Sequence, residues 1–383
     1  MVAPKPGRAG RAGASSGAHS VGRDPNTDAN SDVGTAHRGE FEVIAALQAR
    51  FEAAAGRTAP SGEIWIGDDA ALVADSGGRP LLLATDLVVA GVHVDLDLCT
   101  VVDLGFKAVM VTVSDLAAMG GRPDHLLVSV AAPPGTDLDG LGSGVAEAAT
   151  ATGCIVVGGD LSTAPVVMVS VAAVGSIPPS TEGGENEISA GQGVISPGQD
   201  VLTRSGARAG DSLFVTGPLG SSSAGLRILR AGVSETESEA ASGTESEAAS
   251  EAESANRSLV QAHRRPVARL AEGETARRAG ATAAIDISDG LAADVRHLAD
   301  ASGVGIELDH VPAAKGATED EALGGGEDYE LIIATADPDG LVAAFASAGL
   351  RVPIAIGRCT ADPGERTLAG SDLPHLGWRH LFG

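Results

Sequence analysis

The chain has 383 residues, 43% of them hydrophobic, which is enough for two or three domains of roughly 150 residues and excludes a wholly disordered polymer. Two Trp, one Tyr and six Phe make up its aromatic content, so the cores must be built from aliphatic side chains, and stacking platforms for single-stranded nucleic acid are hard to supply. A formal net charge of -25, with no run of Lys or Arg, argues against any nucleic-acid partner.

The three cysteines, Cys99, Cys154 and Cys359, are too dispersed for a metal knuckle or a CxxC redox pair, and a reducing cytosol suits them. No apolar stretch approaches the roughly 18 residues of a membrane helix, so no membrane partner is expected. Residues 1–38 lack an apolar central region and hydrophobic periodicity, and read as a disordered arm rather than a signal peptide. Order is expected from Gly39. Phe41, Ile44, Leu47 and Phe51 recur at helical spacing, Leu81–Thr85 is strand-like, and Asp103–Met119 is a helix with Asp103 as its cap. Strand runs follow at Leu126–Ala131, Ile155–Val157 and Val166–Val174.

Residues 180–199 have loop composition, and 234–256 contain TESEAAS twice. Seven Glu and no basic residue between Glu235 and Ser254 make the second segment a solvated acidic insertion. Beyond it, Arg257–Gly280 is helix-like with an interruption at Pro266, Ala283–Ile287 a strand and Gly290–Ser302 a helix. Gly305–Leu308, Tyr329–Thr335 and Val352–Gly357 are strands, with Pro338–Ala348 a helix between the last two. The alternation gives an α/β (α+β) chain of two domains, 39–179 and 200–383, with 180–199 between them.

Acidic residues recur at the ends of apolar runs, flanked by Gly, Ser or Thr: Asp68-Asp69, Asp86, Asp115, Asp160, Asp286 with Asp289, and Glu327-Asp328. Any one is ordinarily a cap or turn former. Six such sites converging would crowd carboxylates that cannot all stay ionised without cations between them, and oxygen-only ligands favour Mg²⁺. No GxxxxGK[ST] sequence occurs, and the lysines number three: Lys5, Lys107 and Lys315. Phosphates would then be held by metal and by Gly-rich turns, at Gly158-Gly159 or in TGPLGSSSAGL, although the latter reads equally as a plain strand-to-helix turn. Arg204 is either a fixed cation or a surface residue, and Lys107 either supports a phosphate or snorkels.

The ordered set GEF at 39–41, IGDDAAL at 66–72, ATDLVVAGVHV at 84–94, FKAVMVTVSDLAAMGGRP at 106–123, VVGGDLS at 156–162, LTRSGARAGD at 202–211, VTGPLG at 215–220, AIDISDGLAADVRHL at 284–298 and GGEDYEL at 325–331 resembles the thiamine-monophosphate kinase family. That family belongs with the aminoimidazole ribonucleotide synthetase-like ATP users. Two relatives fit less well: no Cys precedes Cys99, as selenophosphate synthetases would require, and the chain ends WRHLFG rather than in the cysteine of hydrogenase-maturation enzymes.

The resemblance implies a two-domain fold whose N-terminal domain forms a β-barrel in a homodimer, and Mg²⁺-assisted transfer of phosphate from ATP to thiamine monophosphate. Carried over residue by residue, it implies Asp69, Thr85, Asp86, Asp115, Asp160, Asp286 and Asp289 at metal sites, with Asp86, Asp115 and Asp289 central to catalysis. It puts Gly159, Asp160, Arg204 and Ser288 on ATP, and His93, Glu327 and Trp378 on the acceptor. By themselves, His93 reads as a polar strand-edge residue and Trp378 as core. Ala84 stands where the family often has Ser or Thr, and no aromatic lies between Ala146 and Cys154 to stack on adenine. A silent nucleotide-binding protein and a kinase for another phosphorylated acceptor are the competing readings.

Overall fold

A computed structural model describes residues 38–178, 201–232, 247–379 and 381–382. The expected arm up to residue 37, the 180–199 loop and residues 234–246 of the acidic insertion lie outside the described residues.

The first half runs β1 (Arg38–Gly39), α1 (Glu40–Ala55), β2 (Ala71–Ala74), β3 (Pro80–Val89), α2 (Val101–Ala118), β4 (Arg122–Ala132), α3 (Leu138–Thr152), β5 (Ile155–Thr163) and β6 (Met168–Ser176). Strands β2 to β6 form one sheet in the order β2-β3-β6-β4-β5, antiparallel except for the parallel β4–β5 pair. Alternation along β6 buries Val169, Val171 and Ala173 beneath α2, whereas Leu83, Leu87 and Leu127 remain exposed. Strand β5 is exposed along its whole length and forms a free edge of the sheet. The barrel implied by the resemblance is therefore not closed within one chain.

Helix α2 is the central element. It packs on β3 and β6, on α3, and also on β8 and α6 of the second half. Gly105 and Gly144 let α2 and α3 touch backbone to backbone, since a Cβ on either would fall 2.2 Å from Leu141 O or 1.9 Å from Val102 O. Its N-cap is Thr100, one turn earlier in role than expected. Asp103 closes a capping box from the third helical position by accepting from the Thr100 amide, because Thr100 has the extended backbone a cap needs.

The second half runs β7 (Ser212–Val215), α4 (Ser221–Arg230), α5 (Glu247–Arg264), α6 (Leu270–Arg278), β8 (Ala283–Asp286), α7 (Leu291–Ser302), β9 (Gly305–Leu308), α8 (Glu319–Gly324), β10 (Leu331–Thr335), α9 (Pro338–Ser347), β11 (Ile354–Thr360), β12 (Arg366–Leu368), β13 (Ser371–Asp372) and β14 (Leu381–Phe382). Seven strands, β13-β12-β9-β11-β7-β10-β8, make a sheet that is antiparallel except at β12–β9. Hydrophobic cores form on both of its faces, around Leu298 and Ile306 on one and around Phe214 and Phe345 on the other.

One expectation is corrected by the helices. Residues 247–256 are not loop but the first part of α5, whose Leu259 and Val260 bury against Ala224 and Ile228 of α4 and anchor the helix from its C-terminal half. Helix α1 forms where the apolar spacing predicts it, and among the described residues nothing covers Leu47 and Phe51, which are 42% and 55% exposed.

Candidate active site

The site forms where α2, the turn before β2 and the C-terminal end of β8 meet. Asp69, Asp115 and Asp286 each offer an oxygen within 4.8 Å of the others. Asp69 and Asp286 are buried, and Asp115 is half-buried. Ser114, on the same turn of α2 as Asp115, donates its hydroxyl to Asp286 Oδ2 at 2.6 Å. Arg204 enters from the linking segment. Its guanidinium donates to Asp69 Oδ1 through Nε at 3.1 Å and through Nη2 at 2.5 Å, and its backbone amide donates to the Asp68 carboxylate at 3.2 Å. It is thus the cation of the cluster rather than a surface arginine.

One arginine does not balance this many acids. Burial, reinforced by Asp69, pushes the Asp68 carboxyl up to about 7. Burial also raises Asp86 to about 6 against a hydrogen bond from Thr112, and raises Asp286 to about 7 with Asp69 adding to it and Ser114 opposing. Asp115 is driven well above the usual carboxylate range by burial and then by Asp86, Asp286 and Asp69. Two buried oxygens, Asp69 Oδ2 and Asp86 Oδ2, have no hydrogen-bond partner among the described residues. A buried carboxylate oxygen left unsatisfied costs about 1–3 kcal/mol or more, so these atoms are arranged for a ligand that supplies positive charge.

A second group joins the first through the DISDG turn. Asp289, Asp294 and His297 bring ligand atoms within 4.8 Å of one another. Asp294 accepts from the backbone amides of Asp289 (3.1 Å) and Gly290 (2.9 Å), and burial with Asp289 nearby raises its carboxyl well above the usual range. Asp294 and His297 were absent from the sequence expectations, although their i, i+3 spacing behind Asp289 was the available signal.

The remaining expected residues are distributed as follows. Thr85, exposed on β3, donates its hydroxyl to Val171 O at 3.0 Å. Gly159 and Asp160 lie within β5 rather than in a turn, and no side chain fits at 159, where a Cβ would stand 1.7 Å from Val128 O. Asp160 faces Ser129 across the ladder and is not among the grouped carboxylates. His93 lies in the turn after β3, not on a strand edge, and its Nδ1 accepts from the Val89 amide at 3.0 Å. Ser288 O accepts from the Glu327 amide at 2.7 Å, and Asp289 O accepts from the Trp378 amide at 3.0 Å. The GGED loop and the C-terminal segment are thereby tied to the metal-binding turn, and Trp378 is 38% exposed beside it rather than in the core. The TGPLGSSSAGL turn is a plain strand-to-helix connection. Its free amides at Gly220 and Ser222 are taken by the Asp328 carboxylate, at 2.6 and 3.2 Å.

Lys107 does not snorkel at the surface. It is 2% exposed and its Nζ sits 2.8 Å from Glu327 Oε1, because α2 carries it into the junction between the two halves.

Comparison with known proteins identifies the family and the fold. Residues 67–177 match the N-terminal domain model, and 208–369 the C-terminal domain model, of AIR synthase related proteins. A thiamine-monophosphate kinase of Mycobacterium tuberculosis is 33% identical over 359 residues, covering 89% of this chain and 91% of the relative. One from Bacillus subtilis is 32% identical over 304 residues, 76% and 83% of the two chains. Among solved structures, AaThiL complexed with AMPPCP and TMP superposes with a TM-score of 0.68 at 30% identity, covering 89% and 97%. Escherichia coli HypE, a hydrogenase maturation protein, shares the fold at 22% identity and a TM-score of 0.53, over 78% of this chain and 87% of its own. No helix among the described residues is long and apolar enough to cross a membrane.

Proposed function

The chain belongs to the AIR synthase related proteins and, among them, to the thiamine-monophosphate kinases, and on that premise we propose that it transfers the terminal phosphoryl group of ATP to thiamine monophosphate, giving thiamine diphosphate and ADP. The observation that carries the chemistry is the acid cluster of Asp69, Asp115 and Asp286 with the unpartnered oxygens of Asp69 and Asp86.

Hard oxygen donors, buried and in excess of the local cations, fit Mg²⁺. Asp69, Asp86, Asp115 and Asp286 would hold it, with Asp289 as part of the second group and Thr85 and Asp160 as further donors. Bound there, Mg²⁺ would neutralise charge on the nucleotide phosphates and on the diphosphate that forms. The acceptor is already a phosphate oxyanion at neutral pH, so no side chain need remove a proton, and the obstacle is repulsion between two anions brought in line. Arg204, held against Asp69, would add fixed positive charge beside the cluster. Ser114 keeps Asp286 oriented, and the backbone around Ser288 binds the GGED loop to the cluster. On the acceptor side, His93, Glu327 and Trp378 bind the heterocyclic end, Trp378 by lying against a ring.

The division into units 39–179 and 200–383, and the assembly, belong to the same proposal. The exposed edge β5, with Ile155 62% and Leu161 70% exposed, together with the open sheet face at Leu83, Leu87 and Leu127, suits pairing with a second copy to complete a β-barrel.

The test is incubation of purified protein with ATP, Mg²⁺ and thiamine monophosphate, with chromatographic measurement of thiamine diphosphate and ADP, an EDTA control and free thiamine as a competing acceptor. Equimolar, EDTA-sensitive thiamine diphosphate and ADP are expected. ADP formed without thiamine diphosphate would move the acceptor to another phosphorylated compound.

A further inference from the structure

Lys107 is among the largest fully buried side chains of the described residues, and its Nζ meets Glu327 Oε1 at 2.8 Å. The second oxygen of Glu327 lies 3.6 Å from His263 Nδ1, and the same nitrogen lies 3.0 Å from Ser222 Oγ. Both contacts fall on one ring nitrogen and Ser222 is buried, so this is no nucleophilic triad. It is a clamp around one carboxylate. Burial holds His263 down to about 4, with Lys107 adding to the effect, so the close ion pair of Glu327 is the one with Lys107.

The backbone at Glu327 is also constrained. Glu327 has φ 66° and Tyr329 φ 51°, left-handed values that non-glycine residues adopt rarely and that persist where surrounding contacts over-determine them. Those contacts are visible: the Glu327 amide donates to Ser288 O at 2.7 Å and the Tyr329 amide to Ile287 O at 2.9 Å.

Lys107 and Ser114 are seven residues apart on α2, two turns along one face, or about 10 Å of rise. Ser114 grips Asp286 in the acid cluster, and Lys107 grips Glu327. One rigid helix therefore sets the separation between the carboxylates that handle phosphate and the carboxylate at the acceptor's other end. We propose that Lys107 is a positioning residue for acceptor recognition: by fixing Glu327 two turns of α2 from Ser114, it makes acceptor length and ring identity, not nucleotide binding, depend on the Lys107–Glu327 pair. The Lys107–Glu327 pair carries no net charge as a unit, so the second Glu327 oxygen favours a ring that donates a hydrogen bond over a cation as such. This rests on the phosphoryl transfer to thiamine monophosphate proposed above.

The test is a double-mutant cycle on the full chain with Lys107→Met, Glu327→Gln and the pair, reading KM for thiamine monophosphate, KM for ATP and kcat separately. Lys107→Met is expected to raise the acceptor KM at least tenfold, with ATP KM within twofold and kcat within threefold. The double variant is expected to match Glu327→Gln within twofold, since Lys107 acts only through Glu327. Lys107→Arg, which keeps the pair, is expected to restore acceptor KM to within threefold of wild type. Losses that multiply in the double variant, or an equal rise in both KM values, overturn the inference. If Lys107→Met does not fold, the double variant, which leaves no unpaired charge, is compared directly with Glu327→Gln and the same criterion applies. A wild-type protein that forms no thiamine diphosphate overturns the functional reading instead. Wild-type turnover with multiplying losses overturns this inference alone.

Discussion

Ser114 Oγ donates to Asp286 Oδ2 at 2.6 Å, joining α2 of the first half to the end of β8 in the second. Both residues are buried, Ser114 completely and Asp286 to 3% exposure, so water cannot replace the bond if it is lost. Ser114→Ala is expected to cost about 1–3 kcal/mol of stability by leaving an Asp286 oxygen unsatisfied. Turnover should fall about tenfold because Asp286 is no longer oriented. Thermal denaturation and steady-state kinetics on the same preparation check both, and an unchanged melting temperature would show that the bond is dispensable.

Asp115 faces three other carboxylates, whose effect Arg204 opposes only in part. Asp115→Asn is expected to reduce turnover by at least about 100-fold, the scale of losing a principal electrostatic contributor. In metal-free protein the same change should raise the melting temperature, since it removes like-charge repulsion from a buried site. The stabilisation produced by adding Mg²⁺ should shrink accordingly. Turnover within about threefold of wild type would be incompatible with a metal-binding role.

The raised carboxyls also set a pH dependence. Asp68 and Asp286 at about 7 and Asp86 at about 6 bind protons in the folded state that they release, when unfolded, near 3.8. Between these values the native state holds more protons than the unfolded state, so the stability of metal-free protein falls as pH rises from about 4 through about 7. Mg²⁺ competes with those protons, and its affinity should weaken as pH is lowered below about 7. Melting temperatures from pH 5 to 8, with EDTA and with Mg²⁺, are expected to slope downward in the first series and to flatten or reverse in the second. The slope should lessen in Asp286→Asn, which separates the cluster from the general repulsion of a chain with net charge -25.

These cluster residues were legible in the sequence because each Asp stands at the end of an apolar run. What the pattern could not supply was which carboxylates meet. Asp69, Asp115 and Asp286 come from a turn, a helix and a strand end, and only tertiary packing brings them within 4.8 Å. Lys107 was illegible for the same reason: a lysine on an amphipathic helix reads as solvated unless its distant partner, Glu327, is known. The GGD sequence was misread as a turn because glycine signals backbone freedom. At Gly159 it instead serves close approach to Val128, a requirement set by the neighbouring strand.

Strand β5 carries Gly159 and Asp160, yet every residue along it is exposed and it forms a free edge of its sheet. A long, apolar, unprotected edge is ordinarily blunted by charge or Pro, and Ile155, Val156, Val157 and Leu161 do the reverse. If a second copy covers this edge, Leu161, 70% exposed in one chain, becomes part of a buried core. Leu161→Asp would then place a charge in that core at a cost of several kcal/mol, enough to dissociate a pair of copies. Sedimentation is expected to show a wild-type dimer and a Leu161→Asp monomer with unchanged far-ultraviolet circular dichroism. Turnover should fall with dissociation, since Asp160 would lose the strand pairing that holds it toward the nucleotide. A Leu161→Asp protein that stays dimeric would place the interface elsewhere, and a fully active monomer would remove the second copy from the account of the site.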